Sequence, residues 1–335
     1  MTSVKHTRPD SVPVTDEFIR EQMKQLRWKT VDVAIPYETL KEYFTFLNNG
    51  VTVRAGREGV PFLTTTGIFG PIFPGDRTRL TPGQGTGVEV VGPYQGGETV
   101  IEQLDRFYRE TVSIDETAAT KVLAKWISVA DGGAIPGLSS ASNVFGGTGS
   151  LLVNQDVVEI PVLDVIDPRY HQTLAYYGGK LLHPGEEFAM GFDLPLFGMQ
   201  YYGRLPDYIS GFAMQPFGGG GLFVEHHPFP HISQPKPDDG DEAFTVSKIT
   251  LGRKIESAPE EQPAYHFTTF RVPPDGTALT IRPGTIHNDS YTNGPETVFL
   301  ANTPANTVAL RQTAPYTNII LNDVDDVPAQ PPQHK

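Results

Sequence analysis

Residues 222–231 read LFVEHHPFPH, and residues 265–291 read YHFTTFRVPPDGTALTIRPGTIHNDSY. The second stretch decides the fold. TyrHisPheThrThrPheArgVal (265–272) is a short run of aromatic and β-branched residues, the composition of a strand. Pro273-Pro274-Asp275-Gly276 is a turn cluster. AlaLeuThrIle (278–281) is a second short strand. Arg282-Pro283-Gly284 then turns the chain again and delivers Thr285, Ile286 and His287. Short strands punctuated at this spacing belong to a barrel or sandwich.

The pattern extends outward in both directions. Further strands are predicted at 222–226, 244–251 and 297–301, with turn clusters at Pro235 to Asp241 and Asn293-Gly294. Upstream, ValGluIleProValLeu (158–163) leads into a short helix. Asp167 is its expected N-cap, Pro168 its first helical residue and Gly178-Gly179 its stop. ValAspValAlaIlePro (31–36), the segment TyrGluThrLeuLysGluTyrPheThrPhe and Asn48-Asn49-Gly50 echo that arrangement about 125–130 residues earlier. The echo predicts two related domains.

Residues 1–28 then read as an arm with a helix from Thr15 to Trp28, where Phe18, Ile19, Met23 and Leu26 share one face. Residues 29–155 form the first domain and 156–325 the second. Residues 326–335 are a polar, proline-rich tail. Within the first domain, strands are expected at 60–66 and 87–92. Helices are expected from Glu98 to Tyr108 and from Ile114 to Trp126, with a glycine-rich linker at Gly132 to Gly149. The expected fold class is mainly β, with a few short helices.

Composition agrees. The 335 residues include 34 Gly and 30 Pro but only 19% charged side chains, while 19 Phe and 13 Tyr supply core material. Many turns and few charged helical surfaces favour a β-rich chain. The formal net charge of −13 argues against non-specific nucleic-acid binding and against anionic membranes. With no cysteine, disulfides and thiolate chemistry are excluded. The polar first residues carry no secretory signal, and no run of about 18 apolar residues suggests a membrane span. A cytoplasmic location is the expectation. GlyGlnGlyThrGly (83–87) precedes a strand rather than opening a helix, so it lacks the dinucleotide-binding context. His287-Asn288-Asp289 has a His-x-Asp form, but its only later histidine is His334 in the tail.

Four of the nine histidines lie in two short places, 225–231 and 282–287. Imidazoles with a carboxylate are a natural ligand set for a borderline divalent metal. Alternation along a strand places Glu225 and His227 on one face and His226 on the other. If the chain stays extended through the prolines, His231 rejoins Glu225 and His227. His287, after its Pro-Gly turn, falls on a neighbouring strand. The metal-site candidates are therefore Glu225, His227, His231 and His287. His266 reads as a core histidine, and His171 and His183 as surface residues.

The segment 270–287 resembles the second motif of the cupins, a turn and a strand followed by Pro-Gly-x-x-His. The first cupin motif, His-x-His with a later Glu, is replaced here by Glu225-x-His227 and His231. LeuAlaTyrTyrGlyGlyLysLeuLeu (174–182), GlyLeuPheValGluHisHisProPhe (221–229) and IleThrLeuGly (249–252) resemble, in order, segments of the ureidoglycolate lyase family, with His226 where that family has Arg. The resemblance covers about 160–300 and implies a β-barrel there; with the internal echo, the expected architecture is a two-domain, bicupin-like β-barrel protein. It implies a lyase or hydrolase cleaving a C–N bond of a small carboxylate-bearing substrate, with Glu225, His227 and His287 catalytic. Arg282 and Lys248 are candidates to bind the carboxylate, and Tyr291 to line the barrel mouth. A divalent ion (Fe, Mn, Ni or Zn) and metal-free acid–base elimination are both open. So are an oxygenase or isomerase using His227, His231 and His287, and a non-catalytic ligand-binding barrel. A homodimer or other homo-oligomer is the expected assembly.

Overall fold

A computed structural model describes residues 63–81, 87–127, 149–153, 155, 157–203, 223–237, 247–291, 293–301, 306–311 and 318–323. It is mainly β, with 49% strand and two short helices. The arm, the Thr15–Trp28 helix, the 31–50 echo and the tail lie outside these residues.

The strands form three sheets. One has six strands in the order β1 (Leu63–Ile72), β9 (Leu196–Gly203), β16 (Gly294–Leu300), β11 (His231–Pro235), β14 (Ala278–Ile281) and β7 (Gly179–Leu182). The largest runs β12 (Ser247–Lys254), β15 (Ile286–Tyr291), β10 (Phe223–His226), β17 (Asn306–Arg311), β5 (Gly149–Val153), β4 (Thr120–Ile127), β13 (Ala264–Val272), β6 (Val157–Asp164) and β18 (Asn318–Asp323). The smallest has β3 (Val88–Pro93), β2 (Asp76–Leu80) and β8 (Glu187–Ala189). Because β12 pairs with β13 as well as β15, the large sheet curls until its ladder returns on itself.

Two cores lie on opposite faces of the six-stranded sheet, and side-chain alternation assigns them. Leu181, Leu279 and Ile281 pack with Leu163, Ile249, Leu251, Phe270 and Val272 of the large sheet. Their neighbours Leu182, Ala278, Ile232 and Phe299 pack the other way, with Leu80, Phe188, Val100 and Leu104. The last two belong to helix α1 (Val100–Glu110). Strand β14 is therefore buried on both faces, which is why ALTI reads as an unbroken run rather than an alternation.

The helix expected from Glu98 to Tyr108 forms, shifted two residues along the chain to Val100–Glu110. Thr99 accepts from the Glu102 N–H and Glu102 returns a bond to the Thr99 N–H, a complete capping box. Asp167 caps the Pro168–Tyr170 turn through the Arg169 N–H at 2.9 Å, and helix α2 (His171–Tyr176) follows. The expected helix from Ile114 to Trp126 is instead a turn and strand β4. There Val122 and Ala124 are buried while Lys121, Leu123 and Lys125 are exposed. The period is two, and pairing with β13 and β5 overrides helix-compatible residues.

The sequence reading placed a domain boundary at 155/156. Strands from both sides of it share every sheet: β1 pairs with β9, β2 with β8, β4 with β13 and β5 with β17. Among the described residues, no helix is long and apolar enough to cross a membrane.

Gly252 tests the packing of the large sheet. A Cβ there would sit 2.5 Å from Phe267 Cε1 and 3.0 Å from Ile286 Cγ2. Gly252→Ala is expected to lower folding stability by about 1–3 kcal/mol, read by chemical denaturation.

Candidate metal centre

His227, His231 and His287 are buried, and each offers one nitrogen such that all three lie within 4.8 Å of one another. The elements that carry them come from both sheets. His287 is on β15 of the large sheet, where it stands opposite Glu225 of β10 and Leu251 of β12. Directly opposed residues share a face, so Glu225 and His287 both point into the core between the sheets. His231 is on β11 of the six-stranded sheet, opposite Ile281, and faces the same core from the other wall.

The expected extended run through the prolines does not form. Strand β10 ends at His226, and residues 227–230 carry the chain from one sheet to the other before β11 begins. Glu225, His227 and His231 converge because the chain crosses between sheets, not because they share one strand face.

The hydrogen bonds set the tautomers. His227 Nδ1 lies 2.8 Å from the Phe229 carbonyl, and His287 Nδ1 lies 3.0 Å from the Thr285 carbonyl. A carbonyl only accepts, so in each neutral ring the proton is on Nδ1 and the lone pair on Nε2. His231 Nδ1 is 3.2 Å from His287 Nε2. In the metal-free protein, a proton on His231 Nδ1 bridges this edge. Two nitrogens held by one ion at about 2.0–2.1 Å are separated by roughly 3.0–3.4 Å at octahedral or tetrahedral angles, so the same spacing suits a shared cation. Glu225 Oε1 stands 3.8 Å from His287 Nε2 and adds negative charge to the same spot. Three neutral donors and a carboxylate in a buried pocket fit a borderline divalent ion such as zinc, iron, nickel or manganese.

One turn positions two of the histidines. Gly284 N–H donates to the His227 carbonyl at 2.8 Å, Arg282 N–H to Gly178 O at 3.0 Å, and Thr285 Oγ1 to Tyr177 O at 3.0 Å. Gly178 has φ +74°, and a Cβ there would meet Arg282 Cδ at 2.3 Å. Only glycine lets the α2 exit and the His287 turn approach this closely.

Other expected site residues lie elsewhere. Arg282 is bound to Asp105 at 2.9 Å and its guanidinium lies 4.2 Å from the Tyr108 ring centre. The structure therefore does not bring it to the cluster. Lys248 alternates with Ile249 and Leu251 along β12, which puts it on the opposite face from His287. Tyr291 ends β15, in register with Lys248. His226 faces away from the cluster, as alternation predicts, and lies against Trp126 with ring centres 5.2 Å apart. His266 finds a core partner in the Tyr176 hydroxyl at 2.9 Å, and His171 and His183 are exposed.

Sequence reasoning missed a second buried carboxylate. Glu296 on β16 accepts from Ser233, two residues beyond His231 on the same strand face, and is 2% exposed. Its signal was the alternation of 294–300, which sets Glu296 and Val298 on one face. Comparison with protein-family models, curated proteins and solved structures finds no match, so the site's own geometry carries the functional reading.

Two outcomes are expected. Gly178→Ala displaces the turn and lowers metal affinity about 10–100-fold, measured by competition with a chromophoric chelator. Burial, with Lys121 and Arg253 nearby, holds the His266 imidazole below its ordinary 6.5. The unfolded chain then takes up a proton that the folded one resists. Stability should fall as pH drops below 6.5, and His266→Gln should flatten that part of the curve in denaturation series at several pH values.

Proposed function

We propose that this chain is a cupin-type, metal-dependent enzyme that cleaves a C–N bond of a small carboxylate-bearing substrate. The observation that supports it most is the convergence of three buried imidazoles beside Glu225. A bound divalent ion would supply Lewis acidity and an anchor for substrate oxygen. Arg282 is engaged with Asp105, so the substrate carboxylate is assigned to that ion rather than to a guanidinium. Glu225 is the base. It takes the hydroxyl proton of a carbinolamide-like carbon, the carbonyl forms, and the C–N bonding pair leaves on nitrogen, which is then protonated.

The resemblance to cupins and to ureidoglycolate lyases supports the reaction class. The burial of charged and titratable groups between two apolar sheets supports catalysis over passive binding, because such burial costs stability unless it is used.

The test is elemental analysis of purified protein, followed by assay of metal-loaded and chelated samples with ureidoglycolate. Near-stoichiometric metal, lost in His227→Ala, His231→Ala and His287→Ala, is expected. Glyoxylate and urea should appear with the loaded protein only. Glu225→Gln should keep the metal and lose about 10²–10⁴ in rate. Bound iron with oxygen consumption would replace this reading by an oxygenase. Absence of metal after reconstitution attempts on folded protein would overturn the centre itself.

A further inference from the structure

A second concave site lies at the end of the curled sheet where β12 turns back into β13. Its volume is about 530 Å³, and it is lined by Lys125, Trp126, Lys254, Glu256, Ala258, Pro259, Glu260, Pro263 and Tyr265. That volume falls within the range of about 300–1,000 Å³ common for small-molecule sites. Strand β10 separates it from the histidine cluster. His226 packs on Trp126 on one face of that strand, while Glu225 points to the other.

The lining has a definite chemistry. Trp126 and Tyr265 form an aromatic wall, their ring centres 6.5 Å apart, and Ala258, Pro259 and Pro263 add apolar surface. At the rim, Lys125, Lys254, Glu256 and Glu260 are all exposed. The four carry both signs of charge around an aromatic wall.

We propose that this cavity binds a small aromatic zwitterion of the α-amino-acid class, independently of the metal centre. The aromatic ring of the ligand stacks on Trp126 and Tyr265. Its carboxylate takes the rim lysines, and its ammonium group faces Glu256 and Glu260. An anion alone would leave the two glutamates opposed to it, and a cation alone would leave the two lysines.

The chain has two tryptophans, Trp28 and Trp126, so Trp28→Phe leaves Trp126 as sole reporter. Titration of that full-length variant with L-phenylalanine should change its emission saturably. Phenethylamine and 3-phenylpropionate, which each keep one charge, should bind about tenfold more weakly, as should Lys254→Ala and Glu260→Ala, the loss expected for one charge-assisted contact. His287→Ala should leave the affinity unchanged. Circular dichroism confirms that each variant is folded. No saturable change, equal affinity for a single-charge analogue, or equal affinity in the Lys254→Ala, Glu260→Ala double variant would overturn the assignment. Loss of binding in folded His287→Ala would overturn the independence of the two sites.

Discussion

Three imidazoles and a carboxylate buried between two apolar sheets form the constraint on which the rest of this structure depends. Polar groups in such a place are costly unless each finds a partner or a charge to bind. Here the Phe229 and Thr285 carbonyls take the Nδ1 protons of His227 and His287. That leaves the lone pair of each ring on Nε2, and His287 Nε2 meets His231 Nδ1 at 3.2 Å. The three imidazoles form a group able to hold a metal ion, and short turns hold the rings.

Those turns are in turn held by helix α1. Arg253 lies between the Tyr108 and Tyr176 rings, at 3.8 and 4.4 Å, and donates to the carbonyls of Tyr108, Thr111 and Tyr176. Arg282 covers Tyr108 from its own position and pairs with Asp105. Two cations on one aromatic ring tie the helix to the segment that carries Gly178 and the His287 turn. Cation–π contacts of this kind are worth about 2 kcal/mol when shielded from water. Arg282, the residue that looked like a substrate clamp, serves the site by holding its scaffold.

Strand β10 gives the molecule two chemical faces. Glu225 looks into the histidine cluster, and the next residue, His226, looks into an aromatic layer with Trp126. A single-residue slip in register would exchange these faces, so the pairing of β10 with β15 and β17 sets both environments at once.

Much of this was legible in the sequence because it depends on local rules. The turn chemistry of Pro273 to Gly276, the strand at 278–281 and the cap at Asp167 follow from residue type and spacing, which also singled out Glu225, His227, His231 and His287 as candidates. Alternation alone placed His226 away from Glu225. What required the tertiary structure was everything decided by a partner distant in sequence. Strand β4 looked helical until β13 and β5 supplied a ladder for its backbone. Arg282 looked available until Asp105, 177 residues away, took it. Glu296 drew no notice in the sequence, and only β11 places Ser233 beside it. Local propensity and period set which residues were candidates. Long-range pairing set which of them met, because a hydrogen bond or ion pair depends on separation in space, which spacing along the chain does not encode.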